Sequence, residues 1–163
     1  MIDAHHGRTS NQTSAPTVTS STAALTVTIT NPGTVYRAGT DGNDTLIAGS
    51  SQSVLDGGNG NDIIKGGGTA DVLIGGGGAD IMTGGNGPDR FVFGPNFGND
   101  VITDFKPHND VIQFDHSLFA SFADLHAADD GHGNTVITHD ASNTVTLQGV
   151  ALASLHGSDF LFV

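Results

Sequence analysis

The sequence predicts an all-β fold: a right-handed parallel β-roll of nine-residue repeats, two repeats per coil, closed by a small C-terminal α+β cap. Three observations carry that expectation. Residues 39–92 divide without a gap into six nine-residue units, 39–47, 48–56, 57–65, 66–74, 75–83 and 84–92. The sixth position of the units reads Asp44, Ser53, Asp62, Asp71, Asp80 and Asp89, and the eighth reads Leu46, Leu55, Ile64, Leu73, Met82 and Phe91. The composition splits at the end of this block: 16 of the 24 Gly lie within 39–92, whereas all nine Phe lie at or beyond position 91.

Taken in order, residues 1–23 are rich in Ser, Thr, Asn and Gln and read as a flexible linker or tail. The His5–His6 pair within it reads as solvated. Residues 24–30 alternate apolar side chains with Thr at period 2, the pattern of a half-buried strand. Asn31-Pro32-Gly33 is turn chemistry, and a second short strand through Val35 and Tyr36 completes a segment, 24–38, that leads into the repeats. In each repeat, Gly and Asx at positions 1 to 6 form a turn, and positions 7 to 9 form a short strand with the eighth side chain inward. Coils of 18 residues then stack at the inter-strand spacing of about 4.8 Å.

That stacking brings carboxylates together. Asp44, Asp62 and Asp80 fall on one edge; Asp71 and Asp89 fall on the other, with Ser53 in the remaining place. Two carboxylates about 5 Å apart repel by about 3 kcal/mol at an effective dielectric of 20. A divalent cation between coils would turn this repulsion into coordination, and an oxygen-only, Asp-rich donor set favours calcium over zinc or copper. All 17 acidic residues are Asp, the residue of turns and hard cations rather than of helix surfaces. The competing reading, a disordered Gly/Asp linker, leaves the unbroken apolar eighth positions unexplained. No phosphate-binding loop fits, because Lys65 is followed by Gly66, and an EF-hand needs a Glu the chain lacks.

The units match Gly-Gly-x-Gly-x-Asp-x-U-x, with U a large apolar residue, and so resemble the RTX (repeats-in-toxin) family of secreted calcium-binding proteins. Beyond them, Asp89-Arg-Phe-Val-Phe-Gly, Gly98-Asn-Asp-Val-Ile-Thr-Asp-Phe and Asn109-Asp-Val-Ile-Gln-Phe-Asp are similar to the C-terminal region of serralysin-type proteases and related type I secretion substrates. The resemblance implies that calcium lies between a unit and the unit two further on. One site would use Asp44 and Asp62 with the carbonyls of Thr40, Gly42, Gly57 and Asn59. A second would use Asp62 and Asp80 with those of Gly58, Gly60, Gly75 and Gly77. A third would use Asp71 and Asp89 with those of Gly67, Thr69, Gly84 and Asn86. A fourth, with Ser53 opposite Asp71, is expected weak or empty. A further ion where the repeats end would be shared by Asp80 with Asp104 or Asp110, Asp100 being a less certain partner. Oxygen-ligand counting gives about three to five ions. Thr40 and Thr69, standing where Gly is usual, are expected to strain their turns.

Residues 93–163 read as the cap. Ser117 would begin a helix through Leu118, Phe119, Phe122 and Leu125; Asp129-Asp-Gly-His-Gly-Asn is a turn between helix and strand. Val136–His139 and Thr144–Gln148 are strands, residues 150–156 a short helix, and Phe160-Leu-Phe-Val a last strand. The ending Asp159-Phe-Leu-Phe-Val also resembles the acidic-then-apolar tail of type I secretion substrates. The expected function is therefore a non-catalytic, calcium-folded module of a secreted bacterial protein. Its partners would be calcium, the type I secretion machinery and a missing N-terminal catalytic or adhesive passenger. The runner-up is a polysaccharide-binding or adhesive accessory module, followed by a hydrolase in its own right. A net charge of −12 argues against nucleic acid, no apolar run reaches the length of about 20 residues a membrane helix needs, and without Cys no disulfide is possible. The polar N-terminus has no Sec-type apolar stretch, no His-Glu-x-x-His zinc motif or Gly-x-Ser-x-Gly elbow occurs, and His108, His116, His126, His132, His139 and His156 are scattered without ligand spacing.

Overall fold

The computed structural model describes residues 34–163 and, before them, the backbone of one strand, 26–28; the 1–23 tail with His5 and His6 lies outside the described residues. The repeats form alternating strands of two parallel sheets. In chain order the strands are β1 (Thr26–Thr28), β2 (Val35–Ala38), β3 (Thr45–Ile47), β4 (Ser53–Asn59), β5 (Ile63–Gly67), β6 (Val72–Gly77) and β7 (Ile81–Gly85). They continue as β8 (Arg90–Phe93), β9 (Asn99–Ile102), β10 (Val111–Phe114), β11 (His126–Asp129), β12 (Thr135–Asp140), β13 (Asn143–Leu147) and β14 (Phe160–Phe162). One sheet runs β1-β3-β5-β7-β9-β13-β12-β11; the other runs β14-β10-β8-β6-β4-β2.

Register follows the nine-residue period. Leu46 pairs with Ile64 and Ile64 with Met82; Leu55 pairs with Leu73 and Leu73 with Phe91. Every eighth-position side chain is thus stacked on another, and all six are fully buried. From β4 on, the repeat strands are longer than the three positions expected of them: β4 starts at the sixth-position Ser53 and runs to Asn59, the third position of the next unit. The ladder continues through the glycines that follow, with Gly58 paired to Gly76 and Gly67 to Gly85 despite their positive φ. Neither Thr40 nor Thr69 is strained: among described non-Gly residues, only Asn96 and His108 have positive φ, 60° and 66°. The degenerate second unit is supported from outside by β2, which pairs with β4, as the first is by β1, which pairs with β3.

The roll does not stop at residue 92. Met82 pairs with Ile102 and Phe91 with Ile112, both buried, so the segments ending in β9 and β10 are a seventh and an eighth unit. Each departs from the repeat by an insertion, and Asp80 therefore meets Asp100 at a separation of 20 residues rather than 18.

The cap contains no α-helix, which corrects the α+β expectation. Its helical pieces are three single 3₁₀ turns, Phe122–Asp124, Leu152–Ser154 and Gly157–Asp159. Leu118, Phe119, Phe122 and Leu125 have helical spacing but no common target. Phe119 is buried and packs edge-on to Phe114 at 4.9 Å, whereas Phe122 is 42% exposed and lies against Phe160. The loop at 129–134 joins two strands, β11 and β12, not a helix and a strand. β13 adds parallel to β9, and β12 and β11 follow antiparallel; β14 adds parallel to β10. Both sheets thereby gain a C-terminal cover, and Phe93, Phe97, Phe114 and Phe119 plug the core between them. Among the described residues no helix is long and apolar enough to cross a membrane.

Candidate metal centre

Each sixth-position aspartate lies at the start of a strand, where the alternation of the strand turns its side chain inward. One oxygen of each accepts a hydrogen bond from the backbone N–H of the sixth residue one coil below. Asp62 Oδ1 takes the N–H of Asp44 at 2.8 Å, Asp80 Oδ1 that of Asp62 at 2.8 Å, and Asp100 Oδ1 that of Asp80 at 2.9 Å. On the opposite edge, Asp71 Oδ1 takes the N–H of Ser53 at 2.6 Å, Asp89 Oδ1 that of Asp71 at 2.9 Å, and Asp110 Oδ1 that of Asp89 at 3.1 Å.

The second oxygens have no such partner. Oδ2 of Asp62, Asp71, Asp80, Asp89 and Asp100 is buried and makes no hydrogen bond. A buried, unsatisfied carboxylate oxygen is costly. Burial accordingly pushes the Asp100 carboxyl up to about 8 and those of Asp62 and Asp89 up to about 6, opposed by the N–H each receives and reinforced by neighbouring carboxylates. Burial also raises Asp71 and Asp80, against the same backbone donors.

Carbonyls approach two of these oxygens: Gly75 O and Asp62 Oδ2 both crowd the Cβ position of Gly57, and Gly84 O and Asp71 Oδ2 that of Gly66. The Asp80 Oδ2 atom and the Gly75 backbone share one cradle, and a Cβ on Gly75 would overlap that oxygen; Gly57 with Asp62 and Gly84 with Asp89 repeat the arrangement. From the coil below, the Gly58 and Gly60 carbonyls point at Gly76 and Gly78, as the Thr40 and Gly42 carbonyls point at Gly58 and Gly60. The Gly67 and Thr69 carbonyls point at Gly85 and Gly87. From the coil above, the Gly57, Gly75 and Gly84 carbonyls point down at Gly39, Gly57 and Gly66, and Gly77 O accepts from Gly60 N at 2.8 Å. The third-position Asn59 and Asn86 sit in the same turns, their N–H groups donating to the Thr40 and Gly67 carbonyls. Five unpartnered carboxyl oxygens on edges that also carry the stacked turn carbonyls make an all-oxygen donor set, which fits a hard divalent cation.

The aspartates are not equivalent. Asp44 Oδ2 accepts from Thr40 N at 2.5 Å and from Thr40 Oγ1 at 2.9 Å, so the Thr that replaces Gly there holds the carboxylate of the first coil. Ser53 turns its hydroxyl onto Ser51 O at 2.8 Å, away from Asp71.

The end of the array needs a correction. Asp80 stacks on Asp100, not on Asp104 or Asp110. Asp104 is spent on the N–H groups of Gly84 and Gly85, at 2.8 and 2.7 Å. Asp110 continues the other edge, but its oxygens take Asp89 N, Asn109 Nδ2 and Lys106 N. The carbonyls of Gly85 and Gly87 that would face a next cation on that edge accept from Lys106 Nζ and Asn109 Nδ2 instead. A tethered ammonium closes that ladder. The signal for Asp100 is present in the sequence: Gly98-Asn-Asp-Val-Ile repeats positions 4 to 8 of the motif, displaced by the inserted residues.

Residues 38–71 and 56–91 match the RTX calcium-binding nonapeptide repeat, in four copies. Solved structures share the fold of this chain. The extracellular lipase LipA from Serratia marcescens is 26% identical with a TM-score of 0.65, over 78% of this chain and 21% of the lipase. The chain thus spans about a fifth of that enzyme's length. The AlgE6R3 subunit of the Azotobacter vinelandii mannuronan C5-epimerase is 26% identical with a TM-score of 0.52, covering 84% of this chain and 82% of the subunit. The AlgE6R2 subunit of the same epimerase, 23% identical with a TM-score of 0.52 over 88% and 94%, shares the fold. No curated protein matches the chain.

Proposed function

We propose that the chain is a calcium-folded RTX module of a secreted protein, a binding and folding unit rather than a catalyst. The observation that carries this reading is the set of five buried Asp Oδ2 atoms without a hydrogen-bond partner. Calcium would be held between Asp44 and Asp62, Asp62 and Asp80, and Asp80 and Asp100 on one edge, and between Asp71 and Asp89 on the other, with the converging turn carbonyls completing each donor set. It would supply a counter-charge shared by two coils. The protein's own residues do the rest: the Gly positions let carbonyls approach, and the sixth-position N–H groups orient each carboxylate toward the gap.

The same charge logic supports export. Where calcium is scarce, stacked carboxylates disfavour the roll and the chain stays extended enough to be threaded. Outside the cell, calcium at the weak affinities of extracellular modules, about 0.1–1 mM, drives folding. Fusion to a catalytic or adhesive passenger fits the small share of the lipase that the chain covers. A second reading, an accessory module acting on polysaccharide, rests on the likeness to epimerase subunits over most of their length.

Calcium titration of chelator-stripped protein by far-UV circular dichroism tests the main reading. A cooperative coil-to-β transition is expected, absent with magnesium and lost in an Asp62→Ala, Asp80→Ala variant. Full β-structure in excess chelator at neutral pH would overturn it.

A further inference from the structure

The fold joins two histidines that the sequence keeps far apart. His108 lies in the loop before β10, at the place a fourth-position Gly holds in the repeats, and its φ of 66° is correspondingly left-handed. His156 caps the 3₁₀ turn Gly157–Asp159 that leads into β14. Because β14 pairs with β10, the turn is set beside that loop. The imidazole centroids come within 4.5 Å, and Asp159 stands at the base of the pair.

Asp159 is fully buried. Its two oxygens accept from His108 N and His156 N, each at 2.8 Å, and His108 Nδ1 lies 3.5 Å from Oδ1. Among the described residues no lysine or arginine pairs with it, so a buried carboxylate faces two imidazoles and no fixed cation. His156 Nδ1 lies 3.1 Å from Ser154 O. An imidazole N–H given to a backbone carbonyl leaves Nε2 bare, the arrangement that orients metal-binding histidines. One ligand atom from each of the three residues lies within 4.8 Å of the others, and the His108 side chain is 58% exposed, free to close on an ion from solvent.

We propose that His108, His156 and Asp159 form a second metal site, selective for a transition metal of the zinc type and independent of the calcium array. Two imidazoles and one carboxylate suit zinc, whereas calcium prefers oxygen alone. The site joins the last coil of the roll to the final strand, across 51 residues of sequence between His108 and Asp159. An ion there pins β14 to the sheet it covers, and its remaining coordination positions stay open to water or to a ligand from a partner.

The test is calorimetric titration of zinc sulfate into the full chain with calcium saturating. One zinc per chain is expected. His108→Asn, which tolerates the left-handed backbone, and His156→Gln should each weaken binding by more than about tenfold, since even outer-sphere partners of metal ligands are worth that much. His132→Gln and the double variant His5→Gln, His6→Gln should leave it unchanged. Nuclear magnetic resonance of the unmodified chain provides a readout that needs no variant: zinc should shift the His108 and His156 ring signals first. Absence of zinc binding to the calcium-loaded chain would overturn the proposal. So would zinc binding that survives both substitutions, or shifts confined to other histidines.

Discussion

Asp100 shows what a single carboxylate does in this roll. Its Oδ1 receives Asp80 N, its Oδ2 receives nothing, and burial holds its proton up to about 8. Asp100→Asn removes the charge but keeps the shape and the acceptor oxygen. The metal-free roll should then gain stability at neutral pH, because the buried carboxyl must take up a proton on folding whereas the amide is already neutral. The calcium-loaded roll should lose one ion from its stoichiometry and require more calcium to fold. Opposite signs in the two states, read by calorimetry with calcium and urea unfolding without it, distinguish a ligand from a packing residue. Asp44, Asp62, Asp71, Asp80 and Asp89 were legible in the sequence because a constant period puts them in line on the two edges. Asp100 was legible only as a less certain partner behind Asp104 and Asp110, because inserted residues break the count while the ladder absorbs them. The His108–His156–Asp159 cluster was invisible for a different reason: no local period links residues that meet only through the β10–β14 pairing.

At the scale of the element, the glycines decide how closely coils approach. Gly76 has φ +96°, and a Cβ there would overlap the Gly58 carbonyl one coil below. Gly76→Ala therefore pays for a left-handed alanine, about 1–2 kcal/mol, and also pushes two coils apart where their carbonyls converge. The calcium midpoint for folding should rise clearly. Gly68, by contrast, has open space around its Cβ position and no positive φ, so Gly68→Ala should be neutral or gain about 0.4–1 kcal/mol through the unfolded state. A parallel shift in both variants would show that helix or turn propensity, not coil contact, governs the effect. Element type was readable wherever a period of nine or of two ran unbroken, as in β5, β7, β12 and β13. It failed at residues 117–125, where spacing alone imitates a helix. There Asp115 Oδ1 takes both Ser117 N and Ser117 Oγ, a local turn that competes with helix initiation. Phe119 then goes to the core plug while Phe122 goes to Phe160, so the segment has no single face to bury.

The whole molecule is a narrow core between two sheets, closed by phenylalanines at one end, with the buried carboxylates along both edges. Such a molecule should answer to pH with opposite signs depending on calcium. In the metal-free roll the carboxyls of Asp62, Asp89 and Asp100 titrate near 6, 6 and 8, well above the value of about 3.9 for Asp in an unfolded chain. The folded state therefore holds more protons than the unfolded one across this interval. Its relative stability is fully present below pH of about 4, and is lost as pH rises through about 6 and then about 8. Metal-free protein should accordingly gain β-structure on acidification from pH 8 toward 5. Calcium requires the ionised carboxylates, so the same protons compete with it, and the calcium midpoint should rise as pH falls over that range. Circular dichroism at a series of pH values, with excess chelator in one arm and a calcium titration in the other, reads both slopes. A calcium midpoint that does not move between pH 5 and 8 would mean that the buried aspartates are ionised before calcium arrives. The carboxylate ladder would then be held by something other than the cation it is built to receive.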